Sequence, residues 1–312
     1  MTKQLKLYVK TLIISLILFL LPLNTTYSHN ESVYLGGDMI DIHVAFDTPI
    51  IYETPKHTKS FKQGDIILKI SKNYEPYKKI IKSYMLLVYT HYLTDNDTVL
   101  VKVNRQGKEL TIHSSKFELA GLKYSDQMES VGTLTYIKDD STFGALAHTV
   151  TPKNPYCIVK SGEIFSTRSK TGKIKNYDKN TKVGILKNCN NFGIRGNIIN
   201  SNYINNGRKK CTIGEFEDIK KAKAYLVVKN KNNEFDYIEA EIVKINKKSK
   251  NKDKSMMIKI IDKEFLKENG GIIQGMSGTP IIQNNQLIGA ISHSTVNDPT
   301  IGFAIYIKNM IN

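Results

Sequence analysis

The sequence predicts a mainly β protein, and three patterns support that class. Apolar and polar residues alternate at positions 39–44, as in a half-buried strand. From about residue 121 onward, short apolar runs recur between turn-rich segments, which is typical of an all-β barrel protein. Near the C-terminus, two apolar runs flank Asn284 and Asn285, which predicts a strand, a tight hairpin and a second strand.

The first thirty residues resemble an export signal. Lys3, Lys6 and Lys10 precede an apolar run at positions 12–23. This run is shorter than the roughly 20 residues that span a bilayer comfortably. We therefore expect residues 1–30 to direct export across the cytoplasmic membrane, either as a cleaved signal peptide or as a retained membrane anchor.

Residues 31–115 form a pattern that resembles a PDZ domain. A Gly-Asp strand is predicted at 62–70, a helix at 77–92, and a hairpin at 98–113. Such domains bind the C-terminal end of a peptide as an added strand, and a spacer role is the alternative. The predicted peptide-binding loop, whose N–H groups would receive the terminal carboxylate, consists of Leu35, Gly36 and Gly37.

Residues 116–312 are predicted to form the second domain. The segments 188–206 and 247–254 are polar and turn-rich, so we expect surface loops there, and either is an insertion or a cleavage site. The candidate strands are 132–137, 157–159, 162–167, 182–186, 223–228, 237–245 and 256–261.

The segment Gly-Met-Ser-Gly-Thr-Pro at positions 275–280 is the strongest chemical signal in the chain. Glycine permits the sharp turn that exposes the Ser277 hydroxyl, and the N–H groups of Gly275 and Ser277 are predicted to form an oxyanion hole. The segment resembles the region around the nucleophile of trypsin-like serine peptidases. The alternative is a glycine-rich hairpin with a solvated serine.

A serine nucleophile needs a base and an orienting carboxylate. His148 is the last residue of a run of apolar and small residues that is typical of a buried strand end. A histidine there is either a catalytic base or a buried residue with a purely structural role. Asp262 ends the apolar run 256–261, fifteen residues before Ser277, and its alternative role is to cap the following helical turn. The order histidine, aspartate, serine is that of chymotrypsin, which predicts a double β-barrel of that class.

The residues after the hairpin are predicted to line the substrate cleft. Ser292 and His293 stand where trypsin-like enzymes form the wall beside the substrate backbone. His293 competes with His148 as the base, and chain order favours His148. Met276 replaces the aspartate of trypsin-like enzymes, so it cannot form their ion pair with a new N-terminus.

Beyond these motifs, the chain resembles the SpoIVB peptidase family (stage IV sporulation protein B). This resemblance places the catalytic serine on Ser277, the histidine on His148 and the aspartate on Asp262. Ala147 and Thr279 depart from the family's usual glycine and serine, and both changes are small. The matching segments are 131–136, 144–148, 161–165, 270–280 and 293–300.

The resemblance implies a sporulation signalling peptidase that acts between the membranes around the forespore. Members of the family cleave a membrane-anchored regulatory protein and often themselves, by an acyl-enzyme mechanism. The competing interpretation, from another class, is a catalytically silent scaffold that binds partners at the membrane surface through its PDZ-like domain.

The charge and the cysteines limit other functions. The net charge is +16, and almost all of the positive charge comes from lysine. The scarcity of arginine argues against sequence-specific nucleic-acid binding, whereas a lysine-rich surface suits an anionic membrane surface or wall polymer. The alternative is a basic surface that is simply solvated. Cys157, Cys189 and Cys211 show no metal-binding spacing, and they form either one disulfide and a free thiol or three thiols. We expect no cofactor and no metal.

Overall fold

A computed structural model describes residues 31–56, 58–148, 150, 159–166, 181–204, 207–230, 232, 234–246 and 254–312. The predicted export segment, Cys157 and most of the predicted loop at 247–254 lie outside these ranges. The described elements are mostly strands, which confirms the predicted class. They all belong to one unit, Ser32–Asn312.

The elements are numbered in chain order. The strands are β1 (Ser32–Leu35), β2 (Met39–Glu53), β3 (Ile66–Lys72), β4 (Lys78–Lys79), β5 (Val99–Arg105), β6 (Lys108–Ser114), β7 (Lys123–Ile137), β8 (Thr142–Ala145), β9 (Val159–Ser166), β10 (Lys182–Asn190), β11 (Gly193–Ile198), β12 (Lys210–Ile213), β13 (Lys223–Lys229), β14 (Phe235–Ile245), β15 (Met256–Ile260), β16 (Pro280–Gln283), β17 (Gln286–Ser294) and β18 (Ile301–Tyr306). The helices are α1 (Ser83–His91), α2 (Lys116–Ala120), α3 (Ser201–Ile204), α4 (Lys263–Asn269) and α5 (Ile307–Ile311), with a 3₁₀ turn at Phe216–Asp218. Within the described ranges, none of these helices has the length and apolar character needed to cross a bilayer.

The first barrel closes through six antiparallel strands in the order β2, β7, β8, β11, β10, β9 and back to β2. Alternate residues of these strands point inward and bury a common core. In β2, for example, Ile40, Ile42 and Val44 are buried in this core.

The second barrel repeats this arrangement with β13, β14, β15, β18, β17, β16 and back to β13. Its separate core includes Leu226, Ile258 and Ile281. The junction between the barrels contains β1, which pairs with β7 and β12, while β12 runs parallel to β17. The chymotrypsin-like double barrel predicted from the sequence is therefore present.

Between β2 and β7 the chain forms an inserted unit, residues 54–122, with its own core. The predicted strand, helix and hairpin of the PDZ-like region correspond to β3, α1 and the β5–β6 pair. The predicted PDZ-like range of 31–115 also contains β1 and all of β2, which pair mainly with barrel strands instead. The reason is that alternate residues of β2 are buried in the core of the first barrel, and β2 closes this barrel by pairing with both β7 and β9.

Candidate active site

The serine loop adopts a backbone shape that requires glycine on both sides of Ser277. Gly275 and Gly278 have φ values of +97° and +96°, which favour glycine strongly. A Cβ atom at Gly275 would lie 2.2 Å from Met39 Cε, and one at Gly278 would lie 2.1 Å from the carbonyl oxygen of Thr133. The loop therefore packs directly against β2 and β7 of the first barrel.

Two threonines of β7 hold this loop in place. Thr133 N–H donates to the Ser277 carbonyl oxygen at 2.6 Å, and its hydroxyl donates to the Gly275 carbonyl oxygen at 2.6 Å. The Thr135 hydroxyl donates to the Gly278 carbonyl oxygen at 2.7 Å. Sequence reasoning did not assign them a role, although their period-two spacing places both hydroxyls on one face of a strand.

The two N–H groups of the predicted oxyanion hole differ from their neighbours in hydrogen bonding. Within the described residues, neither the N–H of Gly275 nor that of Ser277 donates a hydrogen bond, whereas the neighbouring N–H groups of Met276 and Gly278 donate to Ile273 and Ile291. Both predicted donors are therefore available to a developing oxyanion.

Ser277 lies beside the predicted substrate cleft. Its half-buried hydroxyl donates to the carbonyl oxygen of Ser292 at 2.6 Å, and the Ser292 hydroxyl donates to the carbonyl oxygen of Phe303 at 3.2 Å. Ser292 is buried near the end of β17, and His293, the next residue, is exposed. The tertiary structure thus brings Ser277, Ser292 and His293 together.

His148 follows β8 in a strained turn that reaches the same place. Leu146 and Ala147 have φ values of +76° and +46°, which are unusual for residues with side chains and often mark functional sites. The Leu146 N–H donates to the carbonyl oxygen of Thr133, the residue that also holds the serine loop. The half-buried ring of His148 lies 5.0 Å from the ring of His293, measured between centroids.

Asp262 performs the capping role that the sequence offered as its alternative. Its carboxylate accepts hydrogen bonds from the N–H groups of Phe265, in α4, at 3.0 Å and of Glu239 at 3.3 Å. It makes no hydrogen bond or ion pair with His148 among the described residues. Its place in a catalytic triad stays a prediction.

A second carboxylate, which sequence reasoning did not single out, lies near the serine loop. Asp41 is 4% exposed and stands opposite Val131 in the β2–β7 pairing. Val131 and Met39, two residues before Asp41, both approach Gly275. Asp41 stands between Ile40 and Ile42 in a strand, and an aspartate flanked by apolar strand residues is the signal that could have found it.

The predicted peptide-binding loop forms part of the barrel junction. The N–H groups of Leu35, Gly36 and Gly37 donate to the carbonyl oxygens of Lys209, Thr135 and Leu134 at 2.9, 2.9 and 2.7 Å. This corrects the sequence-based interpretation, because the segment has no N–H group left for a peptide carboxylate. Its glycines serve instead to let the backbone approach β7 closely, since a Cβ at Gly36 would lie 1.9 Å from the Leu134 oxygen.

The two described cysteines are free thiols. Burial raises the pKa of both Cys189 and Cys211, and the Cys211 thiol donates to the Asn285 carbonyl oxygen at 3.0 Å. Among the described residues, no group of three or more histidine, cysteine or acidic side chains is arranged to hold a metal ion.

The glycine-flanked Ser277 belongs to the second of two antiparallel six-stranded barrels and donates to Ser292, and the next residue, His293, lies against the ring of His148 from the first barrel. Two such barrels with a serine loop on one and a histidine on the other are the arrangement of a serine peptidase of the chymotrypsin-like class. The sequence model of the SpoIVB peptidase S55 family matches residues 116–311, more than half of the chain. The chain therefore belongs to the SpoIVB peptidase family. No curated protein matches it significantly.

Two solved structures illustrate the structural similarity. The active form of the Rv3671c protease from M. tuberculosis has 14% sequence identity and a TM-score of 0.37, over 59% of this chain and 73% of that one. The HtrA-type protease AlgW, solved with a decapeptide, has 12% identity and a TM-score of 0.38, over 88% of this chain and 62% of that one.

Proposed function

We propose that this serine peptidase cleaves peptide bonds through an acyl-enzyme formed on Ser277. His148 accepts the hydroxyl proton while the Ser277 oxygen attacks the substrate carbonyl carbon, and the N–H groups of Gly275 and Ser277 stabilise the oxyanion. His148 then gives the proton to the leaving amine as the peptide bond breaks. Water, deprotonated in turn by His148, hydrolyses the ester and restores Ser277.

The observation that carries this proposal is the serine loop itself. Glycines at positive φ and two β7 threonines fix the loop with both oxyanion donors unengaged among the described residues. His148 and His293 stack beside Ser292, whose carbonyl accepts the Ser277 hydroxyl hydrogen bond. Substrate binding must replace that hydrogen bond with one to the base.

The direct test is labelling with a fluorophosphonate, which reacts with an activated serine. We expect one adduct on Ser277 in the folded chain and none in Ser277→Ala. Folded wild-type protein that stays unlabelled would instead favour the catalytically silent scaffold.

For the substrate, we propose a membrane-anchored regulatory protein of sporulation, together with the chain's own N-terminal region. Membership of the SpoIVB family supports this assignment. The apolar segment at 12–23, preceded by three lysines, supports export across the cytoplasmic membrane. Membership of the family adds the particular location, which is the space between forespore and mother cell. The inserted unit then selects the protein that is cut, by binding part of it as an added strand or a docked peptide.

The substrate class is tested by incubating the purified enzyme with membranes from sporulating cells. Mass spectrometry should find new N-termini in an anchored protein with the wild type and none with Ser277→Ala. Cleavage of soluble proteins alone would contradict this substrate assignment while leaving the peptidase chemistry intact.

A further inference from the structure

The segment that leads into the serine loop, residues 271–276, forms a first wall beside Ser277. Its N-terminal end is tied to the turn between β17 and β18, because the Ile272 N–H donates to the carbonyl oxygen of Pro299 at 2.8 Å. Gly271 lies so close to the same oxygen that a side chain there would overlap it, and its φ of +145° favours glycine. The backbone of this segment therefore fixes where the Ile272 side chain begins.

The end of β17 and the start of β18, residues 292–294 and 301–303, form a second wall. The carbonyl oxygen of Ser292 accepts the hydrogen bond from the Ser277 hydroxyl, which places this wall next to the nucleophile. Two residues further along β17, Ser294 is directly opposite Gly302 of β18. Gly302 is buried although it has no side chain, so another part of the molecule covers its backbone.

Ile272 of the first wall covers Gly302 of the second. A Cβ atom added to Gly302 would overlap the Ile272 Cδ1 atom and would lie 3.1 Å from the carbonyl oxygen of His293. The Ile272 side chain is half-buried and packs against the core of the second barrel. The space between the two walls is therefore closed on this side by an aliphatic side chain that lies on bare backbone.

The proposed mechanism brings a substrate side chain into this space. When Ser277 attacks the substrate carbonyl carbon, the carbonyl oxygen lies at the N–H groups of Gly275 and Ser277, at the end of the first wall. The substrate residue that supplies this carbonyl group, on the N-terminal side of the cleaved bond, then carries its side chain beside the same wall. In chymotrypsin-like enzymes the pocket that receives this side chain sets the cleavage preference by its depth and its charge.

The two walls offer no negative charge to a basic side chain. Residues 271–276, 292–294 and 301–303, all of which the structure describes, include no aspartate or glutamate. The turn between β17 and β18 contains one, Asp298, whose Oδ1 atom accepts hydrogen bonds from the N–H and the hydroxyl of Thr300 at 2.9 and 2.6 Å. A lysine or arginine side chain between the walls would lose its hydration without gaining a carboxylate partner from them, which is unfavourable.

We propose that Ile272 limits the depth of this pocket, so that the enzyme cleaves after small uncharged residues such as alanine and valine. The proposal rests on the proposed function, since it concerns the substrate of Ser277. A leucine or phenylalanine side chain would have to displace Ile272 from Gly302, whereas alanine and valine would not. A difference of one methylene group in an apolar pocket changes kcat/KM by about 10- to 200-fold.

The test uses peptidyl diphenyl phosphonates, which bind as a substrate does and then modify an activated serine. Peptides that differ only in the phosphonate residue, an analogue of alanine, valine, phenylalanine or lysine, are incubated with the full chain, and mass spectrometry gives the rate of Ser277 modification. We expect the alanine and valine reagents to react at least about 10-fold faster than the phenylalanine and lysine reagents. A fluorophosphonate carries no amino-acid side chain, so its labelling reports on the nucleophile independently of the pocket.

Two variants and one matched control identify the residue responsible. Ile272→Ala should raise the rate of the phenylalanine reagent relative to the alanine reagent by about 10-fold or more. Ile245→Ala should leave this ratio unchanged, because Ile245 is also half-buried against the core of the second barrel but belongs to neither wall. The double variant Ile272→Ala/Gly302→Val should restore the wild-type ratio, since valine returns as many carbon atoms to the same space as alanine removes.

The wild-type chain alone can overturn the proposal. Rates that are equal for all four reagents, or higher for the phenylalanine or lysine reagent, would show that the pocket is not a shallow uncharged one. An unchanged ratio in Ile272→Ala, or an equal change in Ile245→Ala, would show that Ile272 does not set the depth. Failure of the proposed function would look different, because the wild type would then react with neither the phosphonates nor the fluorophosphonate.

Discussion

Thr133 connects the two halves of the active site at the level of single residues. Its N–H and hydroxyl both hold the serine loop, and its carbonyl oxygen accepts the N–H of Leu146 in the turn that carries His148. One β7 residue therefore helps to position both the predicted nucleophile and the predicted base. Precise positioning of this kind is what converts an ordinary serine hydroxyl into a nucleophile.

The first prediction concerns the catalytic pair. Ser277→Ala and His148→Ala should each lower peptide cleavage by about 10⁴-fold or more, and the double variant should be little worse, because the two residues act as a unit. The measurement is kcat/KM on a peptide substrate. His293→Ala is the control, and it should chiefly change KM. If His293→Ala abolished fluorophosphonate labelling while His148→Ala did not, His293 would be the base.

The second prediction separates the two roles of Asp262. Asparagine caps a helix about as well as aspartate, whereas replacing a cap by alanine costs about 1 kcal/mol. If Asp262 acts only as the cap of α4, Asp262→Asn should retain both stability and activity, and Asp262→Ala should lose stability. If it orients His148, Asp262→Asn should lose activity severely while the melting temperature stays near the wild-type value.

We expect the second pattern from the family resemblance, and Asp41→Asn provides the comparison. Asp41 is the buried carboxylate of β2 beside the serine loop. Severe loss of activity in Asp41→Asn, with full activity in Asp262→Asn, would move the orienting role from Asp262 to Asp41.

At the level of elements, the junction between the inserted unit and the barrel depends on Asp126 of β7. Its carboxylate accepts hydrogen bonds from Lys82 Nζ at 2.8 Å and from the Ser83 N–H at 2.9 Å, at the start of α1. The Asp126 N–H in turn donates to the Ser83 hydroxyl at 2.7 Å. Burial alone would raise the pKa of Asp126, but these partners outweigh it and lower the pKa to about 2.

The third prediction follows from this lowered pKa. An unfolded aspartate has a pKa of about 3.9, so the folded state binds fewer protons and the ionised Asp126 stabilises the junction above about pH 4. This stabilisation should be lost as the pH falls from about 4 to about 2. The protection factors of the α1 amides, which are exchange rates corrected for the intrinsic pH dependence of exchange, should therefore fall over that range in the wild type. Asp126→Asn should show faster exchange already at pH 6 and a smaller change with pH.

The fourth prediction concerns removal of the inserted unit. A chain that started near residue 116 would lose β2, which closes the first barrel, so it should not fold. Glu53 and Lys123 are directly paired, which allows residues 54–122 to be replaced by a two-residue Asn-Gly hairpin. This chain should keep fluorophosphonate labelling and lose cleavage of the anchored substrate. Full-rate cleavage of that substrate would reduce the inserted unit to a spacer.

At the level of the whole molecule, a buried ionic cluster joins the two barrels. Asp38, just before β2, pairs with Arg208 at 2.5 Å and with Lys229, at the end of β13, at 3.2 Å. Burial would raise the pKa of Asp38, but the guanidinium of Arg208 and then Lys229 lower it below its ordinary value. The predicted active-site residues also come from both barrels, so their geometry depends on how the barrels are held together.

The fifth prediction is self-processing of the whole chain. Family membership and the segment between the N-terminal apolar run and β1 motivate it. Mass spectrometry of the purified chain should find N-terminally shortened species in the wild type and none in Ser277→Ala. Equal shortening in both chains would show that a different protease makes the cuts.

The sequence by itself determined those features that depend on neighbouring residues. Short apolar runs predicted most of the barrel strands, but β11 lies within the segment 188–206 that was expected to be a surface loop, and β18 was not predicted. The Gly-x-Ser-Gly spacing identified the serine loop, because only glycine adopts positive φ there without a steric penalty. Local spacing also offered the N-cap role of Asp262, since capping involves residues three positions apart.

Only the tertiary structure decided the features that depend on residues distant in the chain. It placed β1 in the junction between the barrels and β2 in the first barrel, instead of in the predicted PDZ-like domain, because strand pairing joins residue 33 to residue 211 and residue 41 to residues 131 and 165. It engaged the N–H groups of Leu35, Gly36 and Gly37 in the barrel junction, and it brought Thr133 to Ser277 across 144 positions of sequence. Hydrogen bonds between distant strands have no local signature, since their energy depends on which backbone groups the closed barrels bring together.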